Sequence, residues 1–143
     1  MATDSICCNP APLKPIAFHA EIKSDRTYKG GSVWIYENVV TNEGGAYNPA
    51  TGKFTVPRKG LYLFTWYTLS NPSTSSHAGL YVNGKIKGRQ ASNNADGGKK
   101  WITSGSNIAL ALKEGDEVFI MDAHGWTSQI RGLWTSFGGV QIS

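Results

Sequence analysis

Residues 60–69 have the sequence GLYLFTWYTL, which is apolar at almost every position. Successive side chains of a β-strand point to opposite faces of the sheet, so this stretch predicts a strand that is apolar on both sides. One side carries Leu61, Leu63, Tyr67 and Leu69, and the other carries Tyr62, Phe64 and Trp66. One face can fill the core of a sandwich. We expect a partner protomer to cover the second, because large exposed aromatic patches usually mark interfaces; a covering loop is the alternative.

Alternation of apolar residues with a period of two recurs in residues 16–22 and 107–112. Further apolar runs bounded by Gly, Asn, Asp or Pro predict strands at 33–36, 80–82, 118–121 and 133–142. We expect the outward side of 118–121 to be covered by a partner as well. No helical periodicity is visible, so the sequence predicts an all-β sandwich or jelly roll of roughly eight to ten strands.

Turn-forming residues indicate where several of the predicted strands are connected. Asn83-Gly84 predicts a type I′ hairpin turn, because that turn needs positive φ at both central residues. Residues 113–116, with the sequence KEGD, predict a second hairpin turn. The segments 71–76, 91–100 and 123–131 are polar and predict loops.

The composition indicates one folded domain. Of 143 residues, 40% are apolar, 17% are charged and 11% are aromatic, which argues against disorder. The 17 glycines show no Gly-x-y period, so this stretch is not collagen. The net charge of +4 comes from scattered basic residues without a nucleic-acid-binding motif, so we expect no nucleic-acid partner. No apolar run is long enough to predict a membrane span, and no secretion signal is visible in these residues.

The two cysteines, Cys7 and Cys8, are adjacent and precede the first predicted strand. We therefore expect residues 1–14 to form a flexible tail and residues 15–143 to form the domain. A vicinal disulfide is strained, which leaves free thiols or inter-chain disulfides as the two alternatives.

A series of residues resembles, in order and spacing, the aromatic signature of the globular head domain of complement component C1q. The matching residues are Tyr36, Asn42, Tyr47, Phe54, Gly60, Tyr62, Phe64 and Trp66. Residues 17–20 resemble the first strand of that family and residues 136–139 its last, so the resemblance covers about residues 15–143. Each signature residue also has a structural role; Gly60, for example, suits a turn conformation.

The resemblance implies a ten-stranded jelly roll, related to the tumour necrosis factor fold, that forms a secreted homotrimer. The short segment upstream is most like that of stalkless invertebrate members, notably of bivalves, which are associated with innate immunity. We therefore expect a soluble pattern-recognition protein, similar to a lectin, that binds microbial glycans or lipopolysaccharide. The rival functions are a cytokine-like or adhesive ligand for a protein receptor and a structural protein of the extracellular matrix.

No catalytic pattern is present, so we expect no enzymatic activity. The three histidines, His19, His77 and His124, are not accompanied by a recognised nucleophile or metalloprotease motif, and there is no phosphate-binding loop. His19 is expected to be a surface or interface residue.

Two groups of residues are candidate ligand sites. In the first, Lys85, Lys87 and Arg89 alternate along a predicted strand and would form a basic row on one face, suited to acidic glycans, lipopolysaccharide phosphate or a protein. The alternative is a charged edge that prevents strand pairing.

The second group lies in the segment 122–131. Trp126 can stack on a sugar ring, and His124, Gln129 and Arg131 can donate hydrogen bonds to it. The alternative is that Trp126 packs back onto the sandwich.

Calcium is a further expectation from the resemblance, because some family members bind it near the trimer axis. The candidate oxygen ligands are Asp96, Asp116 and Asp122, although none lies in a recognisable calcium loop. The sequence therefore assigns no definite set of metal ligands.

Overall fold

The computed structural model describes residues 13–94 and 99–143. These ranges form fourteen strands: β1 (Ala17–Glu21), β2 (Arg26–Tyr28), β3 (Asn38–Glu43), β4 (Tyr47–Asn48), β5 (Lys53–Thr55), β6 (Gly60–Ser70), β7 (Ser75–Ser76), β8 (Ala78–Val82), β9 (Lys85–Arg89), β10 (Ser92–Asn93), β11 (Ile102–Leu112), β12 (Glu117–Asp122), β13 (Ser128–Ile130) and β14 (Ser136–Gln141). The predicted all-β jelly roll is confirmed. The count exceeds ten because six strands have only two or three residues. The predicted tail cysteines and Asp96 lie outside the described residues.

The strands form two antiparallel sheets and one two-stranded ribbon. The larger sheet has the order β2-β13-β6-β14-β1-β3, and β11 pairs with β6 along its whole length. The smaller sheet has the order β4-β5-β12-β8-β9, and β7 pairs with β10. Among the residues described, no helix is long and apolar enough to cross a membrane.

Aromatic side chains from both sheets fill the core. Phe18 stacks on Tyr47 and on Phe54, with ring centroids 4.9 Å apart in each case, and meets Phe137 edge-on at 4.9 Å. Trp66 is fully buried, and its indole N–H donates to the carbonyl of Ala78 in the opposite sheet. The inward side of β6 therefore fills the core, as its sequence predicts.

Asn42, the polar residue among the signature residues, stabilises the turn between β3 and β4. Asn42 donates from its amide to the carbonyl of Tyr47 and accepts from the backbone N–H of Tyr47. The Tyr47 hydroxyl donates to the carbonyl of Tyr36 at 2.8 Å. Gly60 has a different role from the expected turn conformation: a side chain there would collide with the backbone of Ser143. The strand therefore needs glycine for a close approach.

We call the two ends of the sandwich the hairpin end and the loop end. The hairpin end holds Asn83 and Gly84, whose φ values of 51° and 83° confirm the predicted hairpin turn between β8 and β9. The loop end holds the last residues of β6 and β12. Hydrogen bonds between polar side chains join neighbouring segments there, namely Ser70 to Ser76 at 2.8 Å and Ser128 to Asp122 at 2.7 Å.

Several local predictions are corrected by the pairing. Residues 33–36 are not a strand, although Trp34 is buried and its backbone N–H donates to the carbonyl of Ile120. Residues 113–116 form a turn that carries the chain from β11 in the larger sheet to β12 in the smaller one, so it is not a hairpin. The three predicted loops each contain a short strand, β7, β10 or β13.

Candidate functional site

The outward side of the larger sheet carries an exposed apolar surface, which we call the apolar face and define by Leu61, Leu63, Tyr67 and Val140. Leu63 pairs with Val140 across β6 and β14, so the two side chains lie together. Tyr67 is 48% exposed and lies against Gly105 of β11, where a larger residue would collide with its ring. His19 lies beside Leu63 and Val140 in a shallow depression of about 300 Å³. The second apolar side predicted for residues 61–69 is therefore present at Leu61, Leu63 and Tyr67, whereas Leu69, predicted as its fourth member, is only 9% exposed.

The second predicted apolar side, in residues 118–121, is already covered within the chain. Phe119 is only 7% exposed because Tyr81 stacks on it at 5.9 Å and the ammonium of Lys53 lies over its ring at 5.1 Å. The expectation that a partner covers this strand is wrong, since the neighbouring strands supply the cover.

The predicted basic row is exposed, but its three cations do not share one face. Lys85, Lys87 and Arg89 all lie in β9, at the edge of the smaller sheet. A bulge interrupts the pairing: Val82 pairs with Lys85, Tyr81 with Ile86, and Gly79 with Arg89. Because paired residues share a face, Lys85 lies on the core-facing side and Arg89 on the outward side. The extra residue breaks the alternation that the row required.

A buried carboxylate organises the loop after β12. Asp122 is 3% exposed, and its Oδ1 accepts from the backbone N–H groups of His124 at 2.8 Å and Trp126 at 3.0 Å. Its Oδ2 accepts from the hydroxyl of Ser128 at 2.7 Å. Hydrogen bonds to a buried charge are among the stronger ones in proteins, so the backbone of this loop is held in one conformation.

Three rings meet next to this carboxylate, and we call them the ring cluster. The imidazole of His124 stacks on the indole of Trp126 at 4.4 Å, and His77 meets both rings edge-on, at 4.8 Å from His124 and 5.3 Å from Trp126. Trp126 remains 58% exposed. The alternative that Trp126 packs back onto the sandwich does not hold, because more than half of its surface stays in solvent.

Sequence reasoning missed His77 as a member of the cluster. Its carbonyl accepts from the backbone N–H of Ala123, which brings the start of β8 next to the end of β12. The two segments are far apart in the chain, and no local pattern indicates that they pair.

The other two members of the predicted loop site lie elsewhere. Gln129 is in β13, where it pairs with Thr27. The guanidinium of Arg131 lies over the ring of Trp101 at 5.0 Å and is ion-paired with Asp25 at 3.2 Å. The predicted group of four is therefore divided. His124 and Trp126 belong to the ring cluster, Gln129 lies in neither site, and Arg131 lines a different cleft of about 420 Å³ together with Leu69, Trp101, Thr103 and Trp134.

Asp116 and Asp122, two of the candidate calcium ligands, do not come together in the structure. Asp116 accepts from the backbone of Lys113 and from the amide of Asn83, and these hydrogen bonds hold the pKa of its carboxyl below the usual value. Asp122 lies at the other end of the sandwich, with both oxygens bound by protein donors. The described part of the chain contains no group of three or more His, Cys, Asp or Glu placed to hold a metal.

Comparisons with known proteins agree with this architecture. The family model described as "C1q domain" matches residues 17–140. Complement C1q tumor necrosis factor-related protein 2 of Mus musculus is 42% identical over 86 residues, which is 59% of this chain and 28% of that protein. Complement C1q tumor necrosis factor-related protein 7 of Mus musculus is 36% identical over 95 residues, 64% of this chain and 32% of that protein. The chain thus spans less than a third of these relatives.

Solved structures show the same fold. The globular domain of zebrafish complement 1qA protein superposes with a TM-score of 0.76 and 17% identity, covering 90% of this chain and 98% of that one. Eiger TNF from S. frugiperda superposes with a TM-score of 0.74 and 17% identity, covering 92% of this chain and 94% of that one. With the family model matched over nearly the whole described range, the chain belongs to the C1q domain family.

Proposed function

We propose that this protein is a secreted, homotrimeric recognition protein of innate immunity that binds glycans of microbial surfaces through the ring cluster. The observation that carries the proposal is the placement of Trp126, an exposed indole on a loop that a buried carboxylate holds rigid. Family membership supports a binding protein and not an enzyme. A rigid exposed aromatic side chain is preorganised for a ligand, since little conformational freedom is lost on binding.

The chemistry of the ring cluster suits a neutral sugar. The C–H groups on one side of a pyranose ring form a flat apolar surface that packs on an indole, and imidazole nitrogens hydrogen-bond to hydroxyls. His124 stacks on one face of Trp126, and the indole is still 58% exposed, which leaves surface for the sugar. A site of this size binds weakly by itself.

A trimer would raise the apparent affinity for glycans above that of one weak site. The apolar face is the surface that the three copies would share, because burying it removes exposed Leu61, Tyr67 and Val140 from water. Three linked sites on a repetitive surface raise the apparent affinity by roughly 10² to 10⁴.

Glycan-array screening tests the proposal. We expect wild type to bind neutral microbial glycans such as mannan, and Trp126→Ala to lose about tenfold or more in apparent affinity, the change that about 1.4 kcal/mol produces. Trp134→Ala is the matched control, because Trp134 is also an exposed tryptophan of the loop end but lies outside the ring cluster. Equal binding by wild type and Trp126→Ala would refute the site. Binding to a protein receptor with no glycan bound would favour the cytokine-like alternative.

The basic strand β9 gives a separate prediction. Since the bulge divides Lys85 from Arg89, we expect a triple variant, Lys85→Ala, Lys87→Ala and Arg89→Ala, to keep mannan binding within about threefold. Any binding of wild type to acidic glycans or lipopolysaccharide through these cations should weaken as salt rises, because exposed charges are screened over about 8 Å at physiological ionic strength. Salt titrations of both proteins on both ligands check this. Acidic-glycan binding that persists unchanged in the triple variant would exclude β9 as the anionic site.

A further inference from the structure

The ring cluster contains two neighbouring imidazoles, those of His77 and His124, whose ring centroids are 4.8 Å apart. Within the part of the chain that the structure describes, no protein group hydrogen-bonds to a nitrogen of either ring. His124 is exposed and His77 is half-buried, so solvent reaches both residues. Neutral imidazole is the commonest metal ligand among protein side chains. The pair therefore has the chemistry needed to bind an ion.

The separation of the two rings fits a single ion bound between them. A zinc ion lies about 2.1 Å from an imidazole nitrogen, and hence about 3.2 Å from the centre of the ring. Two imidazoles at neighbouring coordination positions, with an angle of about 90–110° at the ion, therefore have ring centres about 4.5–5.2 Å apart. The 4.8 Å between His77 and His124 lies within this range, and the interplanar angle of 77° shows that the two rings do not stack face to face.

Contacts within the chain hold the two histidines together without an ion. The carbonyl of His77 accepts from the backbone N–H of Ala123 at 2.6 Å, which keeps the start of β8 beside the end of β12. The backbone N–H of His124 donates to the carboxylate of Asp122 at 2.8 Å, and its imidazole stacks on Trp126 at 4.4 Å. The site is therefore largely formed in advance, so little conformational freedom is lost when an ion binds.

A buried negative charge next to the pair favours a cation. The carboxylate of Asp122 is 3% exposed and accepts hydrogen bonds from neutral groups, including the backbone N–H of His124. In residues 13–94 and 99–143, no lysine or arginine is ion-paired with it. Because its charge is not balanced by an ion pair and is poorly screened by water, it attracts a cation bound at the adjacent imidazole.

We infer that His77 and His124 together bind one divalent transition-metal ion, and that copper(II) is bound most tightly because it heads the affinity order for nitrogen ligands. Two protein ligands are fewer than the four of a structural zinc site, so the remaining positions of the ion are open to water or another oxygen ligand. Calcium and magnesium prefer oxygen ligands and are not expected here. The inference does not rest on glycan binding, because the ion needs only the two imidazoles.

Isothermal titration calorimetry with copper(II) chloride tests the inference. The reference protein is the full chain with Cys7→Ser and Cys8→Ser, because thiolates bind the same ions. We expect one copper ion per chain, weaker binding of zinc and no binding of calcium. Bound copper should quench tryptophan emission, since the indole of Trp126 stacks on His124. Electron paramagnetic resonance of the copper complex should show coupling to the nitrogens of two imidazoles.

Single histidine variants of the reference protein assign the site. His77→Asn and His124→Asn should each weaken copper binding by about tenfold or more, and His124→Asn should keep the thermal midpoint measured without metal, because its side chain is exposed. His19→Asn is the matched control, since His19 lies on the apolar face, and it should bind copper as the reference does. The inference would be overturned if the reference bound no copper, or if both ring-cluster variants bound it unchanged. A spectrum with fewer than two imidazole nitrogens, or an equal loss in His19→Asn, would also overturn it.

Discussion

The double variant Leu63→Glu with Tyr67→Glu is expected to be a folded monomer. Both side chains point outward from β6, so the carboxylates are harmless in an isolated protomer. In the proposed trimer they would be buried without partners, at a cost of several kcal/mol for each charge. Light scattering should therefore fall from about 46 kDa, the mass of three chains of 15.5 kDa, to that of one chain.

Thr55→Glu is the control for this prediction. Thr55 is exposed on β5 of the smaller sheet, so a carboxylate there should leave the trimer intact. The apolar face would be excluded as the interface between protomers if the double variant kept the mass of three chains. Wild type with the mass of one chain at micromolar concentration would exclude the trimer itself.

The variant Asp122→Ala is expected to lower both stability and glycan binding. It removes the acceptor of three hydrogen bonds and leaves the buried hydroxyl of Ser128 without its partner. The free energy of unfolding should fall by about 3 kcal/mol, because bonds to a charged acceptor are worth about 1.5–3 kcal/mol each and are not additive. Differential scanning calorimetry should show a midpoint lower by roughly 10 °C at equal protein concentration.

Asp122→Asn serves as the conservative comparison. The amide oxygen can still accept from the N–H groups of His124 and Trp126, so the loss should be closer to about 1 kcal/mol. Mannan binding should be weak in Asp122→Ala and largely retained in Asp122→Asn. If Asp122→Ala kept both the midpoint and the binding of wild type, Asp122 would not organise the loop.

The features that the sequence predicted well depend on neighbouring residues alone. Alternation in residues 16–22 places Phe18 and Ile22 in the core, because burial follows the period of a strand. The Asn83-Gly84 turn depends on the φ preferences of two residues. The two-sided apolar pattern of β6 predicted both the core and the apolar face for the same reason.

The features that could not be predicted from the sequence depend on which strands pair with each other. The bulge in β9 arises from its register with β8 and moves Lys85 and Arg89 to different sides, although the two residues alternate in the sequence. Likewise, the segment 113–116 carries a turn signal whatever strands it connects. Because a turn residue restricts φ and ψ but not the partner strand, the crossing between sheets was not predictable from it.

The candidate site combines both kinds of feature. The position of Trp126 in a polar segment left two alternatives open, a ligand-binding indole or an indole packed on the sandwich, and the structure leaves it 58% exposed. The separation of Arg131 from the ring cluster follows from the way β13 pairs with β2 and β6, and the contact with His77 follows from the pairing of β8 with β12. Single-sequence patterns contain no information on such distant pairings.

A crystal structure of the assembled protein with a bound mannose oligosaccharide would test the central proposal most directly. The account predicts three copies around a three-fold axis, with Leu63 and Tyr67 buried between them and a pyranose ring stacked on the open face of Trp126 in each copy. An assembly that buries Trp126 between protomers, or a sugar bound away from the ring cluster, would contradict it.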